Sequence, residues 1–184
     1  MQTVVNDIFY SIYQYLGFGL VFAIICMIAL PEIEKNGLKK TLTFHLYMLK
    51  TNKKNRYKFM FFTILFMVMS RTLVCRNIWQ CPWENIIGEW GIFTSSGTLN
   101  TEGMLNIFLF APLAYFGLLG FNRENKLNRE ILINVVEISF GFSCLIEMSQ
   151  LFLRVGTFQL SDIFQNTLGG FVGAIIYIVQ RKFR

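Results

Sequence analysis

The chain has 184 residues, of which 54% are hydrophobic and only 15% are charged. Soluble domains carry about 25% charged residues, so this composition excludes an ordinary soluble protein. The formal net charge of +6 would suit nucleic acid, but the basic residues lie between apolar segments, and we expect no nucleic-acid partner. Because the sequence shows no internal repeat and no Gly/Ser-rich linker, we interpret residues 1–184 as a single domain.

Five apolar segments, nearly free of ionisable side chains, follow one another along the chain. A helix needs about 20 apolar residues to cross a hydrocarbon core of about 30 Å, and these segments approach or exceed that length. The sequence therefore predicts an all-α, polytopic transmembrane bundle with about five spans. The segments are 8–30, 59–75 (interrupted by Arg71), 103–121, 131–153 and 163–180.

The basic residues predict the orientation of the bundle. Fourteen of the 17 Lys and Arg residues lie in the loop 31–58, the loop 122–130 and the tail 181–184. With five spans, all three of these segments lie on the same side of the membrane, and basic loops are retained on the cytoplasmic side. We therefore expect the N-terminus outside and the C-terminus in the cytoplasm.

The long basic loop contains leucines at helical spacing beside lysines, which is typical of a helix lying on the inner leaflet. These leucines are Leu38, Leu42, Leu46 and Leu49.

The four cysteines and the single histidine show no spacing typical of a metal site. We therefore expect no metal and no other cofactor. Cys75 and Cys81 lie near the outer end of the second segment, and the sequence leaves open whether they form a disulfide. It also gives no indication of the oligomeric state.

Polar residues from four segments are predicted to reach the same outer end of the bundle. Glu147, Gln150 and Arg154 share one helical stripe if the helix continues that far. Asp162 and Asn166 share another stripe with Gly169 and Gly173, which form a GxxxG pair suited to close helix packing. Intramembrane polar groups normally face a bundle interior or a wet cavity, so we predict a ligand pocket opening outward. The candidate ligand-binding residues are Arg71, Asn106, Glu147, Gln150, Arg154, Asp162 and Asn166.

A structural role is the alternative for each of these residues. Arg71 could pair with Glu147 or Asp162 to hold helices together, and Ser161 or Asp162 could cap the last span. For the whole converging set we favour a binding role, in which Arg71 and Arg154 would recognise anionic headgroups.

Three stretches of the chain carry recognisable motifs. They are "IEMSQLFLRVGTFQLSDIFQNTLGGFVG", with its Glu-x-x-Gln and Asp-x-x-x-Asn-x-x-Gly elements, "NTEGMLNIFLFAPLAYFGLL" with Pro112, and "RTLVCRNIWQCPWENIIGEWGIF" with Pro82, Asn85, Gly88 and Trp90. Together they resemble the VanZ-like family of bacterial membrane proteins. The resemblance is strongest over residues 71–173. Where family members often carry an acid, this chain has Gln159, so Asp162 would be the only carboxylate in that turn.

The resemblance implies a cell-envelope factor of the bacterial plasma membrane, associated with resistance to glycopeptide antibiotics, notably teicoplanin. Its partner would be a membrane lipid, a lipid-linked envelope precursor or a lipoglycopeptide. The alternative is an enzyme acting on a lipid headgroup, with Glu147 and Asp162 as acid and base. We favour the non-enzymatic interpretation because no complete set of catalytic groups is present.

Overall fold

The computed structural model of the protein describes residues 2–28, 37–74, 85–91, 93, 94, 96–121 and 127–183. Three residues named above lie outside this range: Cys75, Cys81 and Pro82. The described residues therefore do not test whether Cys75 and Cys81 form a disulfide. The described part of the chain forms six α-helices and no β-strand, which confirms the all-α prediction. The helices are α1 (Gln2–Met27), α2 (Leu38–Thr51), α3 (Lys53–Met69), α4 (Thr101–Phe121), α5 (Asn128–Leu153) and α6 (Leu160–Lys182).

Four helical segments are long and apolar enough to cross a membrane. They are α3 together with the π-helical turn Ser70–Val74 that extends it, which we call the π turn, and helices α4, α5 and α6. Helix α1 adds a shorter apolar stretch, Ile12–Met27. Large apolar side chains cover the outside of these helices, and Ile138 is 70% exposed. Such a surface is stable in contact with lipid, as expected of a membrane bundle.

The helices pack in the order α1, α3, α4, α6, α5 across the bundle. Helix α6 is central because glycines on two of its faces let both neighbours approach closely. On one face, a Cβ atom at Gly169 would lie 2.7 Å from the carbonyl oxygen of Ile107 in α4, and one at Gly173 would overlap the carbonyl oxygen of Ala111. On the other face, a Cβ atom at Gly170 would overlap the hydroxyl of Ser139 in α5.

The bundle has two chemically different ends. At the polar end, where α4 and α6 begin and α5 finishes, the buried side chains include Asn106, Gln150 and Asp162. At the basic end, α3 begins with Lys53 and Lys54, and α6 finishes with Arg181 and Lys182. The candidate site lies at the polar end, so the packing of α3 to α6 determines which of its residues meet.

Helix α2 forms in the predicted basic loop and packs on the start of α3. The guanidinium of Arg56 donates to the carbonyl of Lys50 at 2.9 Å and so caps the end of α2. Leu42 and Leu49 are half-buried, whereas Leu38 and Leu46 are exposed. The helix therefore keeps an apolar surface beside its lysines, the combination that favours contact with a lipid leaflet.

Candidate functional site

The segment that precedes α4 folds across the polar end and caps α6. The first backbone N–H groups of a helix have no partner inside the helix. Here the N–H of Leu160 donates to the carbonyl of Ile86 at 2.9 Å, and the N–H of Ser161 donates to that of Ile87 at 3.2 Å. We call the described residues of the range 85–100 the connector, and these bonds fix it against the start of α6.

Two side-chain amides attach the connector to both helices of the polar end. The carbonyl of Glu89 accepts from the amide of Gln165 in α6 at 2.8 Å and from the amide of Asn100 at 3.0 Å. The side-chain oxygen Oδ1 of Asn100 accepts a hydrogen bond from the N–H of Gly103 at 3.0 Å and so caps α4. One connector carbonyl therefore links the beginnings of α4 and α6.

Gly88 and Trp90 have local structural roles in the connector. Gly88 has a φ of +68°, and a Cβ atom there would overlap the side chain of Ser161, so only glycine fits without strain. The indole N–H of Trp90 donates to the carbonyl of Ile87 at 2.9 Å, and its ring lies 5.2 Å from that of Phe164. These contacts explain why a glycine and a tryptophan occupy two of the positions on which the family resemblance is based.

A small polar cavity of about 100 Å³ lies between the connector and the first turns of α4 and α6. Its ionisable lining residues are all carboxylates, and the first turn of each helix supplies one of them, which the positive end of a helix dipole favours. Among the described residues, no group of three His, Cys, Asp or Glu could hold a metal ion. The lining residues are Asn85, Glu89, Asn100, Glu102, Gln159, Ser161, Asp162 and Gln165.

Below the cavity, buried polar side chains join α5 to its neighbours. Glu147, which is 1% exposed, accepts the backbone N–H of Gln159 at 2.9 Å and holds the turn that leads into α6. The amide of Gln150 donates to the carbonyl of Thr72 in the π turn at 2.9 Å. The first contact holds the turn between α5 and α6, and the second joins segments 78 residues apart, so these two residues order the polar end of the bundle.

Two amides of α6 and α4 complete this interior. Asn166 is 2% exposed, and its amide donates to the hydroxyl of Ser143 in α5 at 2.8 Å. The amide of Asn106 in α4 lies 3.5 Å from the side-chain oxygen of Gln165, at the limit of a hydrogen bond. Asn166 and Asn106 therefore join neighbouring helices and do not themselves line the cavity.

A sequence model of the family described as VanZ/LLP1 matches residues 18–181. The chain belongs to the VanZ/LLP1 family. This confirms the predicted family, and the match extends the resemblance from residues 71–173 to nearly the whole chain. No curated protein and no solved structure matches it.

In this VanZ/LLP1 protein, the two arginines of the candidate set are separate from the cavity lining. Helix α5 ends at Leu153, and Arg154 adopts the left-handed conformation with a φ of 55°. Because α5 stops before Arg154, this residue does not share a helical stripe with Glu147 and Gln150. Its side chain is exposed. Arg71 lies half-buried in the π turn. Of the seven predicted ligand-binding residues, only Asp162 lines the cavity.

Several cavity residues of this VanZ/LLP1 protein were missed by the sequence reasoning. Asn100 could have been found as the helix cap before an apolar run, since Asn followed by Thr-Glu is a typical start of a helix. Gln165 could have been found as a second amide beside Asn166. Glu89 gives no such signal, because its backbone carbonyl makes the bonds that hold the connector.

Two buried oxygen atoms have no hydrogen-bond partner in the part of the chain that the structure describes. They are Oε1 of Gln150 and Oδ1 of Asn166. An unsatisfied buried acceptor costs about 1–3 kcal/mol. The polar interior of this VanZ/LLP1 bundle therefore keeps hydrogen-bonding capacity that its own helices do not use.

Proposed function

We propose that this VanZ-type membrane protein binds the polar headgroup of an amphiphile in the polar cavity, without chemical transformation. The amphiphile would be a membrane lipid, a lipid-linked envelope precursor or a lipoglycopeptide such as teicoplanin. One observation supports this proposal above the others: a cavity lined only by polar residues lies between the connector and the beginnings of two helices long and apolar enough to cross a membrane, α4 and α6. Polar groups within a membrane bundle are costly, and they characterise functional sites in membrane proteins.

The size and lining of the cavity limit what it can hold. About 100 Å³ is well below the roughly 300–1,000 Å³ of pockets that enclose a drug-sized ligand. The cavity therefore suits one headgroup substituent, while the rest of the amphiphile stays in the membrane. Carboxylates and amide oxygens at Glu102, Asp162 and Gln159 favour a group that donates hydrogen bonds, such as an ammonium or a sugar hydroxyl.

A ligand group that donates hydrogen bonds differs from the anionic headgroup that Arg71 and Arg154 were expected to recognise. Neither Arg71 nor Arg154 is among the cavity residues. The enzymatic alternative is also less well supported, because Asp162 lines the cavity while Glu147 is buried behind it and accepts a backbone N–H. An acid and a base acting on one substrate both need to reach its reacting atoms.

Glu102→Gln tests the proposed site without disturbing the core. Glu102 is exposed in the first turn of α4 and lines the cavity, so this change removes one charge and keeps the side-chain shape. We expect the affinity of the purified protein for teicoplanin in detergent micelles to fall about tenfold, the effect of one charge-assisted hydrogen bond. Native mass spectrometry or thermophoresis measures the change.

Glu137→Gln is the matched control, because Glu137 is an exposed acid of α5 outside the cavity lining. It should leave teicoplanin affinity unchanged. Equal affinity of the wild-type protein and Glu102→Gln, or an equal loss in both variants, would contradict a teicoplanin headgroup site at this cavity.

We further propose that the polar end faces outward and the basic end faces the cytoplasm of a bacterial plasma membrane. The distribution of lysines and arginines supports this orientation. A topology reporter fused after Arg184 should indicate a cytoplasmic location. The same kind of reporter inserted at Ser96 in the connector should indicate an external location. Reversal at both positions would place the polar cavity on the cytoplasmic side.

A further inference from the structure

A second, apolar cavity lies in the half of the bundle toward the basic end. It has a volume of about 500 Å³ and is bounded by α3 and α4 on one side and by α5 on the other. Its lining is almost entirely apolar and includes Phe61, Leu113, Gly117, Val135 and Phe142. We call this cavity the interhelical groove.

The groove exists because α4 and α5 hardly touch each other. Helix α6 packs against both and keeps them apart, while the π turn contacts α5 at the polar end. About midway along the two helices, the rings of Phe110 and Phe142 approach to 5.8 Å and close the groove on that side. Toward the basic end its rim carries Phe121, 49% exposed, and Ile138, 70% exposed. The groove is therefore a wedge that opens sideways, where a membrane protein meets lipid.

A lysine lies at the open end of this wedge. The ammonium of Lys58 lies 5.2 Å from the ring centroid of Phe121, a cation–π contact that draws it to the rim. The stem of Lys58 packs on Gly120, where a Cβ atom would come within 3.0 Å of Cγ. Lys58 is half-buried, and further cations follow on the same helix at Lys53, Lys54 and Arg56. The apolar wedge thus ends in a fixed positive charge.

We infer that the interhelical groove binds one anionic glycerophospholipid from the leaflet at the basic end. An acyl chain fills the wedge between α3 and α5, and the phosphate lies near Lys58. The volume lies within the roughly 300–1,000 Å³ of ligand-binding cavities. A half-buried lysine at an apolar rim complements a negatively charged headgroup. This site is separate from the polar cavity and does not depend on the function proposed for it.

Gly117→Leu tests the acyl-chain part of the inference. Gly117 lines the groove, and a Cβ atom there meets only the ring of Phe61, at 3.2 Å. A leucine displaces about two methylenes of the bound chain, so phosphatidylglycerol should bind about tenfold more weakly. Native mass spectrometry of the purified protein in phosphatidylglycerol-doped micelles measures the bound lipid.

Gly141→Leu is the matched control, because a Cβ atom at Gly141 meets nothing within 4 Å. It places the same side chain on the exposed surface of α5, outside the groove. Undiminished phosphatidylglycerol binding by Gly117→Leu, or an equal loss in both variants, would show that the groove holds no acyl chain.

Lys58→Met tests the headgroup part and keeps the packing of the stem on Gly120. The preference for phosphatidylglycerol over phosphatidylcholine should fall about fivefold, the effect expected of one lysine at an anionic membrane surface. Lys54→Met, an exposed lysine one turn earlier, should retain the preference. Equal losses at Lys58 and Lys54 would mean that the whole basic surface attracts the lipid, and the specific site would be refuted. This arm remains decisive if Gly117→Leu fails to fold.

Discussion

Gly173→Leu is expected to destabilise the protein severely and to reduce its folded yield. A Cβ atom at this position overlaps the carbonyl oxygen of Ala111 and comes within 3.1 Å of the Cβ of Ala114. Overpacking costs roughly 1–3 kcal/mol where side chains can yield, and more is expected here because the obstacle is helix backbone. The α4–α6 interface is the most extensive of the bundle, so separating these helices also disrupts the polar end. Thermal denaturation in detergent and yield by size-exclusion chromatography measure both effects.

Gly141→Leu serves as the control for this change as well. It introduces the same residue at a glycine of α5 with open space around it, so yield and melting temperature should match those of the wild-type protein. A Gly173→Leu variant that melts like the wild-type protein would show that α6 does not pack on α4 through this glycine face.

Under the proposed function, Asp162→Asn is expected to abolish tolerance to teicoplanin while leaving the protein folded. Asp162 is 5% exposed and is the only member of the predicted set that lines the cavity. The substitution keeps the shape and one acceptor oxygen but removes the charge. Glu147→Gln likewise keeps an oxygen that can accept the N–H of Gln159. Tolerance to teicoplanin in cells and melting temperature in detergent are measured on the same variants.

The double variants with Arg71→Gln distinguish a binding site from a structural ion pair. If Arg71 pairs with either acid only to hold the helices together, a single substitution leaves a buried charge uncompensated and costs roughly 3–5 kcal/mol. The double variant would then recover stability. We expect instead a stable, inactive Asp162→Asn variant that Arg71→Gln does not rescue. Unstable single variants rescued by Arg71→Gln would contradict the binding role.

Much of the fold could be predicted because each span is specified by residues close together in sequence. A run of about 20 apolar residues must form a helix in lipid, since no water is present to satisfy its backbone groups. The ends of the last three helices follow the same local logic, with polar or basic residues on either side of each run. Arg154 shows the limit of this reasoning: a continuous helix would place it beside Gln150, but the chain turns at Arg154 with a positive φ.

The site was only partly predictable for a different reason. Spacing along a helix shows which side chains share a face, and it correctly indicated that Gln150 and Asn166 would point inward. It gives no information on how the connector returns across the bundle, because those bonds join residues such as Gln165 and Glu89, 76 positions apart. The cavity lies under the connector, so most of its lining could not be assigned from helical periodicity.

The sequence by itself determined that this is an all-helical membrane bundle of the VanZ/LLP1 family, with polar residues gathered toward one end. Hydropathy and local spacing are sufficient for that, because lipid forces each apolar run to satisfy its own backbone. Only the tertiary structure decided which polar residues line a cavity and which join helices. That division depends on the close packing at Gly169 and Gly173, on the capping of α6 by Ile86 and Ile87, and on the gap that α6 leaves between α4 and α5. The contacts at the two glycines and at Ile86 and Ile87 join segments far apart in the chain, and the gap depends on how α6 packs between its neighbours. This geometry exists only once the helices have packed.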